Sequence, residues 1–93
     1  MTIYAIALLS KYMKSIVFHP HAKEKMNKRG ISKNAILETL KSPKEVVNGG
    51  YGRKIAQKVF GRYLIRVIFE EYEDYILVIT IYLTKPKRYV KRI

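Results

Sequence analysis

The segment HPHAKEKMNKRGIS, from His19 to Ser32, sets residues that can move protons or hold phosphate at helical spacing. On a helix His21, Lys25 and Lys28 fall on one stripe. Ala22 and Met26 form the neighbouring apolar stripe, with Arg29 at its border. An imidazole in line with cations carries protons near neutral pH beside charge that attracts phosphate. The competing account is a solvated basic face, and for Lys25 and Lys28 it is the simpler one. For His21 both accounts stand. A cation at a helix N-terminus opposes the helix dipole, which favours the neutral imidazole that could serve as a base. His19, placed before Pro20, reads as structural. A metal site is not expected, because two histidines with only Glu24 nearby are too few ligands.

Later polar residues interrupt apolar runs: Lys58, Arg66, Thr80, Tyr82 and Thr84. Arg66 shares its strand face with Leu64 and Ile68, so its charge must reach solvent, an acid or a phosphate. If that face carries no helices, Arg66 and Tyr82 would form an anion site. The alternative is that Arg66 pairs with Glu70 or another acid across strands. The chain ends in KPKRYVKRI, where Lys85, Lys87 and Arg88 surround Tyr89. Charge of that kind holds an RNA or single-stranded DNA backbone while the ring stacks on a base. A solubilising terminus is the plainer account. Tyr51 and Tyr63 are expected in the core or at its rim. GGYG at 49–52 is too weak a pattern for a phosphate loop. There is no P-loop, no GxGxxG, no Ser-His-Asp set and no pair of catalytic carboxylates.

The elements that must position these residues follow from pattern and punctuation. Ser15 to Phe18 reads as a strand, stopped by His19-Pro20. A helix from about Pro20 to Lys28 follows, since proline suits a first helical position. Gly30 ends it in a left-handed cap, with Ile31 making the accompanying contact. Ser32 caps a second helix carrying Ala35, Ile36, Thr39 and Leu40 on one side, ended at Ser42-Pro43. Val46-Val47 is a candidate short strand, and Asn48 to Gly52 a loop. Strands follow at Arg53 to Phe60, Tyr63 to Glu71 and Tyr75 to Thr84, joined by a turn at Gly61-Arg62 and an acidic hairpin loop at Glu70 to Asp74. In the last strand strict alternation groups Leu77, Ile79, Ile81 and Leu83 against Ile76, Val78, Thr80, Tyr82 and Thr84, apolar on both faces as in a central strand. The expected architecture is α+β, in the order β-α-α-β-β-β. Two N-terminal helices pack on one face of a mainly antiparallel sheet of about four strands.

The chain has 93 residues, with 19 Lys and Arg against 7 Asp and Glu, a net charge of +12. That length is one domain. Residues 1–13 stand apart as an N-terminal extension, an edge strand, a short helix or residues ahead of a second start at Met13. Residues 14–93 form the domain. Cysteine is absent, which excludes disulfides, thiolate zinc sites and thiol catalysis. Apolar stretches are far below the roughly 20 residues a bilayer needs, and no cleavable leader is evident, so the cytoplasm is the expected compartment and no membrane a partner. The charge surplus is clustered, which points to a polyanionic partner. Four of the seven acids gather at Glu70, Glu71, Glu73 and Asp74, making the molecule dipolar.

The run His21-Ala22-x-x-Lys25-Met26-x-x-Arg29-Gly30-Ile31-Ser32, with the second helix and the β-branched strands after it, resembles small domains grouped with BrnT-like and RelE/ParE-like toxins of type II toxin–antitoxin systems. The resemblance covers about Lys14 to Tyr89. Lys25 stands where such relatives often carry Arg, and Arg88-Tyr89 where they often carry a late Arg or Tyr. It implies a RelE/BrnT-like fold and a metal-independent endoribonuclease needing no cofactor. RNA, free or on the ribosome, would be the substrate and a cognate antitoxin the protein partner. The related group also includes gyrase poisons and domains of no known activity. On this reading His21, Arg66, Tyr82 and Arg88 are the catalytic candidates. Lys25, Lys28, Arg29, Lys58, Arg62, Lys85, Lys87 and Tyr89 are the nucleic-acid contacts. The alternative is a non-catalytic basic domain that binds nucleic acid or an antitoxin. The oligomeric state is left open.

Overall fold

A computed structural model of the chain describes residues 14–85. The expectations for residues 1–13 and for Lys87, Arg88 and Tyr89 lie outside the described residues. Strand β1 (Ser15–Phe18) leads into helix α1 (Pro20–Arg29) through His19, whose backbone is extended and whose N–H donates to the Val78 carbonyl at 2.9 Å. The His19 imidazole Nδ1 accepts the His21 N–H at 3.0 Å, so this histidine caps the helix while Pro20 occupies its first turn. Gly30 closes α1 at φ +67°, and the Met26 carbonyl accepts the N–H groups of both Gly30 and Ile31. Helix α2 (Lys33–Lys41) starts under the Ser32 hydroxyl, which accepts the Ala35 N–H at 3.0 Å, and stops at Ser42 before Pro43. Its buried residues are Ile36, Thr39 and Leu40, as the spacing predicts.

Four strands complete the sheet: β2 (Glu45–Gly50), β3 (Arg53–Phe60), β4 (Tyr63–Glu71) and β5 (Tyr75–Thr84). The architecture is α+β, with strand order β1-β5-β4-β3-β2. The sheet is mixed rather than wholly antiparallel, because β1 runs parallel to β5. It has five strands rather than about four. The extra length comes from β2, which continues through Asn48 to Gly50 and leaves only Tyr51-Gly52 as the turn. Its register slips at Gly49, where an added Cβ would lie 3.1 Å from the Ile55 side chain.

Both helices lie on one face. Ala22, Ile31, Ile36 and Leu40 pack there against Ala56, Ile65, Val67, Phe69, Ile76, Val78 and Ile81. Burying each large side chain of this set contributes about 1.5–3 kcal/mol. Strict alternation fails in β5. Ile68 pairs with Thr80 but Phe69 pairs with Val78, so Ile79 is an extra residue that shifts the phase. As a result Ile76 and Val78 share the core face with Ile81 and Leu83, while Leu77, Thr80, Tyr82 and Thr84 take the other. Leu64 and Ile68 are also buried on that second face, consistent with β4 being central.

Candidate nucleic-acid interface

On the face away from the helices, four side chains stand in one row across the strands. Tyr82 pairs with Arg66, Arg66 with Gln57, and Gln57 with Glu45. Arg66 Nε donates to Gln57 Oε1 at 2.9 Å, and Gln57 Nε2 donates to Glu45 Oε1 at 2.8 Å. Gln57 is buried, so both ends of its amide are committed and its orientation follows from its two charged neighbours. The bond to Nε fixes the plane of the Arg66 guanidinium on the sheet. Arg66 and Tyr82 are thus neighbours, on the face expected for them. The acid that Arg66 reaches across the strands, through Gln57, is Glu45, while the Glu70 carboxylate accepts from Arg53 at 3.0 Å and from the Tyr72 hydroxyl at 2.5 Å. The Tyr72 bond, and after it the Arg53 bond, hold the Glu70 carboxyl below its usual range. The same contact raises the Tyr72 phenol.

Tyr82 has a second cation. Strand β1 pairs only with Tyr75–Val78, and α1 packs on β5 from there. Lys25 Nζ of α1 lies 4.6 Å from the centroid of the Tyr82 ring. At a half-exposed site such a contact is worth about 0.5–1 kcal/mol. One turn earlier on the same stripe, His21 is exposed, and among the described residues its imidazole has no partner. Lys28 and Arg29 are exposed in the last turn of α1. Arg62, in the β3–β4 turn, and Lys85, after β5, are exposed as well. The pairing of Leu64 with Thr84 puts Arg62 and Lys85 at one end of the sheet, opposite the acidic β4–β5 turn.

Lys58 does not join this group. It pairs with Ile65 on the helix face, donates to the Ser42 carbonyl at 2.8 Å and lies 3.6 Å from Glu38. Strand alternation put it one residue from Gln57 and therefore on the opposite face from Arg66. Tyr51 is neither core nor rim: it is 98% exposed at the tip of the β2–β3 hairpin. Gln57 and Glu45 were not anticipated. A glutamine in the middle of an apolar strand is a signal for the first, but nothing local marks the second. Among the described residues no three metal-ligating side chains converge, and no helix is long and apolar enough to cross a membrane. A surface cleft of about 540 Å³ lies elsewhere, lined by Ile16, Val17, Phe18, Met26, Lys23 and Lys33 along β1 and α1.

No curated protein matches the chain. No solved structure matches it either. A family model described as a domain of unknown function, DUF4258, matches residues 18–83, from the end of β1 almost to the end of β5. That span contains both helices and the whole Tyr82–Arg66–Gln57–Glu45 row, and the chain belongs to the DUF4258 family.

Proposed function

We propose that the chain is a toxin-like, metal-independent endoribonuclease related to the BrnT and RelE groups. It holds RNA, free or on the ribosome, across the basic end of its sheet and is itself held by a cognate antitoxin. The observation that carries this reading is the Lys25–Tyr82–Arg66 cluster: a half-exposed ring with an ammonium over it and a guanidinium across the strand. A ring of that kind stacks on an unpaired base while the cations take the flanking phosphates. In the cleavage step a ribose 2′-oxygen attacks its neighbouring phosphorus and the bond to the 5′-oxygen breaks, leaving a cyclic phosphate and a 5′-hydroxyl. His21 accepts the 2′-hydroxyl proton, the Tyr82 hydroxyl or water gives one to the departing 5′-oxygen, and Arg66, with Arg29, stabilises the added phosphate charge.

The test is incubation of the chelator-treated protein with RNA, with and without ribosomes, beside His21→Ala, Arg66→Ala and Tyr82→Phe variants. Cleavage that these substitutions reduce supports the reading. Equal cleavage by all variants, or none by any, refutes it. A second reading is a non-catalytic module that binds nucleic acid or an antitoxin through the same surface. It is favoured by the absence, among the described residues, of a group that orients the His21 imidazole. It predicts salt-sensitive RNA binding without cleavage and no growth arrest on expression.

A further inference from the structure

The β2–β3 turn carries a tyrosine in a conformation that bulky residues avoid. Gly50 pairs with Arg53, leaving Tyr51 and Gly52 as a two-residue connection. Both have positive φ, +54° at Tyr51 and +76° at Gly52, as in a primed hairpin turn. The first position of such a turn favours Asn, Asp or Gly, because a side chain in the left-handed region crowds its own backbone. Tyr51 brings no packing in return, being 98% exposed. At its foot is a cleft of about 340 Å³ lined by Asn48, Gly50, Gly52, Arg53 and Lys54, with no acid among them. Across the strands Arg53 is bonded to Glu70, which also accepts from the Tyr72 hydroxyl.

A strained, solvent-facing ring above a glycine-rich cleft contributes no packing to the fold. We propose that Tyr51 is a stacking finger for a base of single-stranded RNA, with the backbone of that strand lying against the Arg53–Lys54 side of the cleft. This second contact is at the opposite end of the sheet from Arg62 and Lys85, on the outer hairpin at the end that also carries the β4–β5 turn. The proposal rests on the RNA reading above, and its test separates the two.

The test measures binding of a fluorescent oligouridylate to the full chain at low salt, together with thermal unfolding, for wild type, Tyr51→Asn, Tyr51→Trp and Tyr82→Leu. Tyr51→Asn should bind about tenfold more weakly, within the range that loss of one base–aromatic stack produces. It should also melt at the same or a higher temperature, since asparagine suits the turn. Tyr51→Trp should keep the affinity. Unchanged affinity in Tyr51→Asn, with binding by wild type intact and weakened by Tyr82→Leu, overturns the finger alone and leaves the ring to a protein partner. A lowered melting temperature in Tyr51→Asn also overturns it, because the ring would then serve the fold. Absence of binding by wild type removes the RNA reading, and the finger with it.

Discussion

Replacing Thr80 with valine should make the protein more stable. Thr80 sits on β5 opposite Ile68 and is 9% exposed. Its Oγ1 is buried and, among the described residues, has no hydrogen-bond partner. A hydroxyl in that position keeps the cost of leaving water, about 1–3 kcal/mol, without the bond that would offset it. Valine has nearly the same shape, keeps the β-branch and the strand preference, and adds an apolar methyl in the same space. The lower end of that range, about 1 kcal/mol, is the expected gain. In a domain of this size it raises Tm by about 4–8 °C. The assay is thermal and urea unfolding of wild type and Thr80→Val, with Thr84→Val as a control. Thr84 is on the same strand and face but only half-buried, so its change should stay within about 0.5 kcal/mol. A neutral or destabilising Thr80→Val would show that the hydroxyl is bonded after all, and the reasoning would fail.

Gly30→Ala should cost about 1 kcal/mol, measured as a lower urea midpoint at unchanged m-value. No heavy atom lies within 4 Å of the added Cβ, so the loss comes from the left-handed backbone at φ +67°, and Gly30→Asn should lose less. The Glu70 carboxyl, held below its ordinary 4.5 first by Tyr72 and then by Arg53, lends stability that is present above pH 4.5 and disappears as pH falls through its lower folded value. A carboxyl NMR titration should show that low midpoint, with Tyr72→Phe moving it upward more than Arg53→Gln does; a wild-type midpoint at or above 4.5 would contradict this. If Lys25, Lys28, Arg29, Arg62 and Lys85 each meet a phosphate of a single strand, log affinity should fall against log salt with a slope of about 3.5. Lys14→Gln, which breaks a bond to Glu71 instead, should leave that slope alone.

The punctuated half of the chain was readable because its signals are local. His19-Pro20, Gly30, Ser32 and Ser42-Pro43 act through backbone groups within four residues, and each bounds a helix where expected. The strands were readable as strands, but their faces were not. The extra residue Ile79 is invisible in a run of β-branched residues, since only the pairing partners Ile68 and Phe69 show that one position is skipped. Parallel pairing of β1 with β5 joins residues about sixty positions apart, which no window of sequence contains. At the site, Arg66 and Tyr82 could be placed together because both break apolar runs on adjacent strands. Lys58 was misgrouped for the same reason: charge in a strand says that a partner exists, not which side it is on. Its partner, Glu38, is on a helix.

The cations of this protein divide by what they already touch. Lys14 is bound to Glu71, Arg53 to Glu70 and Lys58 to Glu38, while Arg66 reaches Glu45 through Gln57. Four of the seven acids are therefore absorbed by basic residues of the sheet and of the segment before β1. Helix α1 is treated differently: Lys23, Lys25, Lys28 and Arg29 share it with one acid, Glu24, and none of them has an ion pair among the described residues. Like charges one turn apart, such as Lys25 and Arg29, each cost a few tenths of a kcal/mol, and the helix dipole offsets this only in the last turn. The repulsion is tolerated because the apolar stripe of Ala22 and Met26 holds α1 on the sheet. A polyanion laid along α1 removes that repulsion, whereas at the acidic β4–β5 turn it would meet Glu73 and Asp74. Association should therefore stabilise α1 specifically, and slower amide exchange in that helix on adding RNA is the signature that separates this arrangement from a diffuse coat of charge.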